Sequence, residues 1–229
     1  MRTIGLIGGM SWVSTVEYYR LMNESVAARL GGLHSARILL ESVDFADIER
    51  LKLADRWDLV ADHLAAAGRR LEAAGADLVV LCTNTMHHVA AEIESAITVP
   101  FVHIADTTAE AIGTAGLCRV GLLGTAFTME QSFYVDRVAT HGIEVLVPPE
   151  DDRTRISAIV YDELCHDVMT AESKAFYLAA TDRLVARGAE GIILGCTEIE
   201  LLIGAADLEV PVFPTTALHV EAAVDLALS

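Results

Sequence analysis

Short apolar runs alternate with longer stretches of helical period along the whole chain, which is the pattern of a parallel α/β protein. Apolar runs predict strands near 3–8, 36–43, 77–82 and 100–104, and again near 119–124, 143–147, 190–195 and 210–213. Each run is bounded by glycine, proline or polar turn residues, and the segments between are long enough for the crossover helix that parallel neighbours need.

The second half repeats the first. IGLIGGMSW at 4–12 resembles VGLLGTAFT at 120–128, GADLVVLCTNT at 75–85 resembles GAEGIILGCTE at 188–198, and VPFVH at 99–103 resembles VPVFP at 210–214. Three matched pairs in the same order, turn residues included, point to a duplicated unit rather than to the general likeness of βαβ segments. The expected fold is therefore two similar four-stranded parallel α/β domains related by a pseudo-twofold axis, with an active site in the cleft between them. The first domain is expected over 1–105 plus 212–229 and the second over 106–211. Capping-box spacing at Ser14/Glu17 and Thr128/Gln131 marks the helix starts after the first strand of each half.

Open α/β sheets bind ligands at the carboxyl ends of their strands. There the chain carries Gly8-Gly9-Met10-Ser11 and Gly124-Thr125 on the first strands, and Thr83-Asn84-Thr85 and Cys196-Thr197-Glu198 on the third. The glycine turns match neither a dinucleotide fingerprint nor a phosphate loop, so tight turning explains much of them. Their backbone N–H groups are candidates for holding a carboxylate. Gly195-Cys196-Thr197-Glu198 follows an apolar strand and opens a helix, with Thr197 and Glu200 at capping-box spacing. A thiol at a helix N-terminus is expected to have its pKa lowered, fit to act as base or nucleophile, whereas a buried core cysteine is the plain alternative. Aligning the repeats sets Thr83 opposite Cys196, Asn84 opposite Thr197 and Thr85 opposite Glu198. Matched groups from two halves suit proton transfer on both faces of one carbon.

Composition narrows the picture. Hydrophobic residues make up 53 % of 229, with no apolar stretch approaching the roughly 20 residues that span a bilayer. The N-terminal apolar run is too short for a secretory signal, so a cytoplasmic enzyme is expected. A formal charge of −17 argues against nucleic acid and anionic membranes as partners, though not against an anionic small molecule. Cys82, Cys118, Cys165 and Cys196 lack metal-type spacing, and no metal site is expected.

The combination GGMSW at 8–12, LGGLHSA at 30–36, CTNTMH at 82–87 and GCTEI at 195–199 resembles the aspartate/glutamate racemase family, in order and over essentially the whole chain. It is most similar to the bacterial L-aspartate/glutamate-specific or broad-specificity branch. That resemblance implies an amino-acid racemase working without pyridoxal phosphate or other cofactor, a small-molecule amino-acid substrate and a homodimer. In such enzymes a cysteine before Asn-Thr and a cysteine before Thr-Glu flank the α-carbon. The second maps to Cys196. The first maps to Thr83, a departure that the resembled branch shares. The implied mechanism is asymmetric: Cys196 exchanges the α-proton of the L enantiomer, and Thr83, with or without a water, acts more slowly on the other face.

The same mapping makes Asn84, Thr85 and Thr197 holders of the α-carboxylate and amino group. Met10 and Ser11 line the pocket, and Glu198 orients the ammonium or the thiol. Lys52, with Arg50 as a weaker candidate, faces a distal carboxylate; the plain alternative for both is a solvated helix face. Trp12, His103 and His219 stand equally as structural residues. Cys82 adjoins Thr83, but strand alternation should turn it into the core. Two other readings stay open: a cofactor-free decarboxylase of a malonate-like acid, because one thiol is absent, and a non-catalytic amino-acid-binding protein.

Overall fold

The computed structural model describes residues 1–166 and 168–229. Its strands are β1 (Ile4–Gly8), β2 (Ile38–Ser42), β3 (Leu78–Leu81), β4 (Phe101–Val102), β5 (Arg119–Gly124), β6 (Glu144–Leu146), β7 (Ile192–Gly195) and β8 (Val212–Pro214). Its α-helices are α1 (Trp12–Leu30), α2 (Phe45–Leu53), α3 (Trp57–Ala73), α4 (Ala90–Ser95), α5 (Ile104–Thr114), α6 (Ala126–Glu130), α7 (Ser132–Ala139), α8 (Glu150–Asp162), α9 (Ala171–Ala186), α10 (Thr197–Leu202) and α11 (Thr215–Leu228). Short 3₁₀ turns lie at Thr85–Val89 and Leu164–His166.

The strands form two all-parallel four-stranded sheets, ordered β2-β1-β3-β4 and β6-β5-β7-β8. Each is the same permutation of its own half, and the register matches the sequence repeat residue by residue. Gly5 pairs with Val79 in the first sheet, and Gly121 with Ile192 in the second. On the next strand Val79 pairs with Phe101, and Ile192 with Val212. Thr83 and Cys196 therefore each lie two residues beyond a pair that the repeat relates, Ile7–Leu81 and Leu123–Leu194.

In the first unit, alternation along buried strands sorts the side chains onto two faces. Ile7, Val79 and Leu81 pack with Val60, Leu64 and Ile93 beneath α3 and α4. Ile4, Leu6, Leu78 and Val80 pack with Tyr18, Met22 and Val26 of α1 and with Val220 and Val224 of α11. Cys82 belongs to this second cluster and is fully buried, which fits the core role read from alternation. The second unit builds one apolar cluster around Leu122, Leu123, Ile193 and Leu194, and Cys196 is a member of it.

Two details correct the sequence reading. The compact units are Met1–His103 with His219–Ser229, and Ile104–Leu218. Residues 212–218, expected with the first domain, go with the second because β8 hydrogen-bonds to β7. The helix caps lie three residues earlier than the capping boxes suggested. Ser11 and Thr125, in extended backbone, accept from the N–H groups of Ser14 and Thr128, which sit inside their helices. Thr197 likewise is the first residue of α10 rather than its cap, and Glu200 instead accepts from the Thr216 N–H at 2.9 Å.

The matched glycines have a steric cause. A Cβ on Gly5 would lie 2.9 Å from the Ala76 Cβ and 3.2 Å from the Leu71 Cβ, so the absence of a side chain lets α3 approach the strand. Gly121 stands in the same relation to Leu184 of α9. Gly5→Ala is expected to lower stability by about 1–3 kcal/mol through overpacking. Gly113→Ala, exposed in α5 with nothing within 4 Å of an added Cβ, should raise it by about 0.5–1 kcal/mol. Denaturant midpoints of the two variants check both signs.

Candidate active site

The turn after β1 is built around one hydroxyl. Thr15 Oγ1 accepts from the Gly9 N–H at 2.8 Å and donates to the Ser11 carbonyl at 3.0 Å. Gly9 has φ +96°, and a Cβ there would lie 2.2 Å from the Val43 carbonyl oxygen, so this position requires glycine. The Gly9 N–H, expected to face a carboxylate, is thus committed within the turn. Ser11 is occupied as the cap of α1. Met10 is buried and shares the apolar cluster with Ile48 of α2 and with Met86 and Val89 of the Thr85–Val89 turn. That cluster, joined by Leu51, draws α2 and the segment after β3 to the carboxyl end of the first sheet.

Lys52 lies on α2 with its side chain 13 % exposed, its ammonium 2.7 Å from a Glu49 carboxylate oxygen one helical turn away. It is therefore not on a solvated face. Arg50, 74 % exposed and paired with Asp47, is. Any anion meeting Lys52 meets it already paired.

Thr83, half-buried, begins the segment after β3, followed by buried Asn84 and Thr85. The Thr83 N–H donates back to the Leu81 carbonyl at 2.9 Å, which ends the strand in a tight turn. Asn84 precedes a 3₁₀ turn over Thr85–Val89.

In the second unit Cys196, Thr197 and Glu198 are all buried at the end of β7. The Cys196 thiol donates to Glu198 Oε2 at 2.9 Å. Thr197 is backed by the Thr216 hydroxyl at 3.2 Å, and Thr215 donates to the Leu194 carbonyl at 2.9 Å. The sequence reading singled out neither threonine; the adjacent pair after the apolar β8 was its trace.

The electrostatics of Cys196 run opposite to expectation. Burial pushes the thiol well above the ordinary thiol range, and the adjacent Glu198 carboxylate pushes it the same way; a hydrogen bond from the Glu198 N–H opposes them weakly. Cys165, in the 3₁₀ turn at Leu164–His166, packs against the same cluster and is also raised by burial and by Glu198. The direction of the Cys196 shift favours the protonated thiol, which donates to the Glu198 carboxylate. Cys82 is raised too, by burial alone.

Comparison with known proteins decides the family. The Asp/Glu/Hydantoin racemase family matches residues 7–223. The chain belongs to that family. It is an amino-acid racemase by that membership, an isomerase built on the two sheets described above. A candidate Asp/Glu racemase from Yersinia pestis is 51 % identical, with a TM-score of 0.95 and all of both chains covered. An aspartate racemase homologue from Pyrococcus horikoshii is 31 % identical, with a TM-score of 0.90 and equally complete coverage. A broad-specificity amino-acid racemase from Bacillus subtilis is 23 % identical over 167 residues, 70 % of this chain and 69 % of that one.

The racemase's thiol offers a direct check. Glu198→Gln keeps a polar partner but removes the charge, so Cys196 should become easier to ionise. Its alkylation by iodoacetamide at pH 8 should quicken on the order of tenfold or more, since each pKa unit is a factor of ten in thiolate. Exposed Cys118 serves as internal reference in peptide mass spectrometry. Wild-type Cys196 reacting ahead of Cys118 would contradict the raised pKa.

Proposed function

We propose that this chain is a cofactor-independent racemase of L-aspartate, L-glutamate or a related polar amino acid, with Cys196 as base on the L face and Thr83 serving the other. The observation that carries the reading is the buried Cys196–Glu198 pair at the strand end that the repeat matches to Thr83. The substrate class is that of the racemases the chain resembles.

The raised thiol pKa is itself informative. A free thiolate beside a buried carboxylate is costly, but an amino acid carries its own cation. An α-ammonium beside Glu198 offsets the carboxylate charge, removes the main electrostatic obstacle to ionising Cys196 and leaves the sulfur beside the α-carbon. Ionisation is thereby tied to substrate binding. The thiolate takes the α-proton, and Asn84, Thr85 and Thr197 hold the α-carboxylate, on which negative charge then accumulates. Thr83, alone or through a water, returns a proton to the opposite face. Met10 and Ser11 form the wall of the first half. A distal carboxylate meets Lys52 by sharing or displacing Glu49. The same reading makes the enzyme a cytoplasmic homodimer, and exposed Trp12, Val16 and Tyr19 on one face of α1 suit a contact between copies.

Mirror-image substrates have an equilibrium constant of unity, so kcat/KM must match in the two directions. The asymmetry therefore belongs in isotope exchange. In D₂O without added cofactor, L-glutamate, L-aspartate or L-homoserine should lose the α-proton with retention faster than it inverts, on the order of 10²-fold, because a hydroxyl is much the poorer acid–base. The D enantiomer should acquire deuterium almost entirely in inverted product. Cys196→Ser should abolish both processes. Absence of exchange with every substrate, or CO₂ release from a malonate-like acid instead, would overturn the reading.

A further inference from the structure

Thr83 is a weak acid–base, so its direction matters more than a thiol's would. Its peptide groups are both held. The N–H is bound to Leu81, as described, and the carbonyl accepts from His87 Nδ1 at 2.7 Å. In an α-helical start, that carbonyl would receive the main-chain N–H of residue 87. Here the His87 N–H goes to the Asn84 carbonyl at 3.1 Å, and the imidazole of the same residue takes over the Thr83 oxygen. A carbonyl oxygen only accepts, so Nδ1 of His87 carries a proton.

The ring that makes this bond is itself fixed. His87 is 3 % exposed and packs against His103 at 4.7 Å, Phe101 at 5.7 Å and His219 at 5.8 Å between ring centroids. His219 is tied at both nitrogens. Its Nε2 donates to the Val102 carbonyl at 2.7 Å, and its Nδ1 accepts from the Tyr18 hydroxyl at 2.9 Å. Burial lowers the His219 pKa to about 4, which keeps that ring neutral and its Nδ1 an acceptor. Tyr18 of α1, His219 of α11 and Val102 of β4 thus form a rigid backing for the His87 ring.

We propose that His87 is the positioning residue for Thr83, its Nδ1–H holding the Thr83 carbonyl so that the hydroxyl keeps the direction proton transfer on its face requires. The inference rests on the racemase reading, with Thr83 as the weaker of two proton-transfer groups. It makes the histidine of the CTNTMH segment part of the catalytic geometry without contact with substrate. His219, also buried, and the partly buried His103 pack against its ring.

The test compares His87→Leu, which removes the donor, with His87→Asn, whose side-chain amide nitrogen falls close to the Nδ1 position. For each variant, circular dichroism and a thermal melt establish folding. Retention exchange and inversion of the L substrate are then measured separately in D₂O. In His87→Leu, inversion should fall about 10–100-fold, a part of what a misplaced acid–base group costs. Cys196-dependent exchange should stay within about twofold, since its thiol is held elsewhere. His87→Asn should recover most of the inversion. A folded His87→Leu that loses both rates together, or an Asn variant no better than Leu, would overturn the proposal. If the wild type shows no exchange at all, the racemase reading fails and the positioning role fails with it. The hydrogen bond is decided independently by the ring ¹⁵N spectrum of the wild type. The Nδ1-protonated form of His87 is expected, and an Nε2-protonated ring would remove the bond.

Discussion

A glycine in one central strand of each sheet, Gly5 in β1 and Gly121 in β5, lets the helix behind it come close, and the two sheets share one parallel register. Gly5 opposite Val79 and Gly121 opposite Ile192 fix β3 and β7 in the same relation to β1 and β5. A slip of one residue would turn every side chain of the strand to the opposite face. Because the register is the same in both halves, Thr83 and Cys196 emerge at the same height beyond their strands. The correspondence of Thr83 with Cys196 is therefore seen in the backbone register as well as in the alignment.

At those two strand ends the halves have diverged in chemistry while keeping the frame. The second keeps a thiol, buried against a carboxylate that raises its pKa. The first keeps a hydroxyl whose peptide is pinned on both sides, by Leu81 and by the His87 imidazole. A strong group can tolerate some misalignment, and a weak one gains from being oriented.

Much of this was legible in the chain. Strand positions, the duplication and the family could be read because buried parallel strands are continuous apolar runs and because turn residues recur with them. Cys82 could be assigned to the core by counting faces. What sequence pattern could not supply was which neighbours a side chain meets. The Cys196 pKa was read from the helix start alone, whereas burial and Glu198, two residues on, dominate it. Ser14 and Thr128 looked like caps because spacing cannot distinguish the cap from the third helical residue. The Gly9 N–H looked available because nothing in the string shows that Thr15 folds back onto it. The His87–Thr83 bond lies in plain view at i, i+4, yet only the departure from helical geometry makes the ring, not the main chain, the donor.

The central claim is that one fold presents a thiol to one face of the α-carbon and a hydroxyl to the other. Thr83→Cys, measured by deuterium incorporation into the D enantiomer in D₂O, tests it most directly. If the repeat places these positions equivalently, the variant should gain exchange with retention on the D side, nearly absent before, and inversion should quicken by about 10²-fold or more toward the rate of L-side exchange. A folded Thr83→Cys protein whose D-side exchange stays at the wild-type level would contradict the account, because position 83 would then not face the reacting carbon.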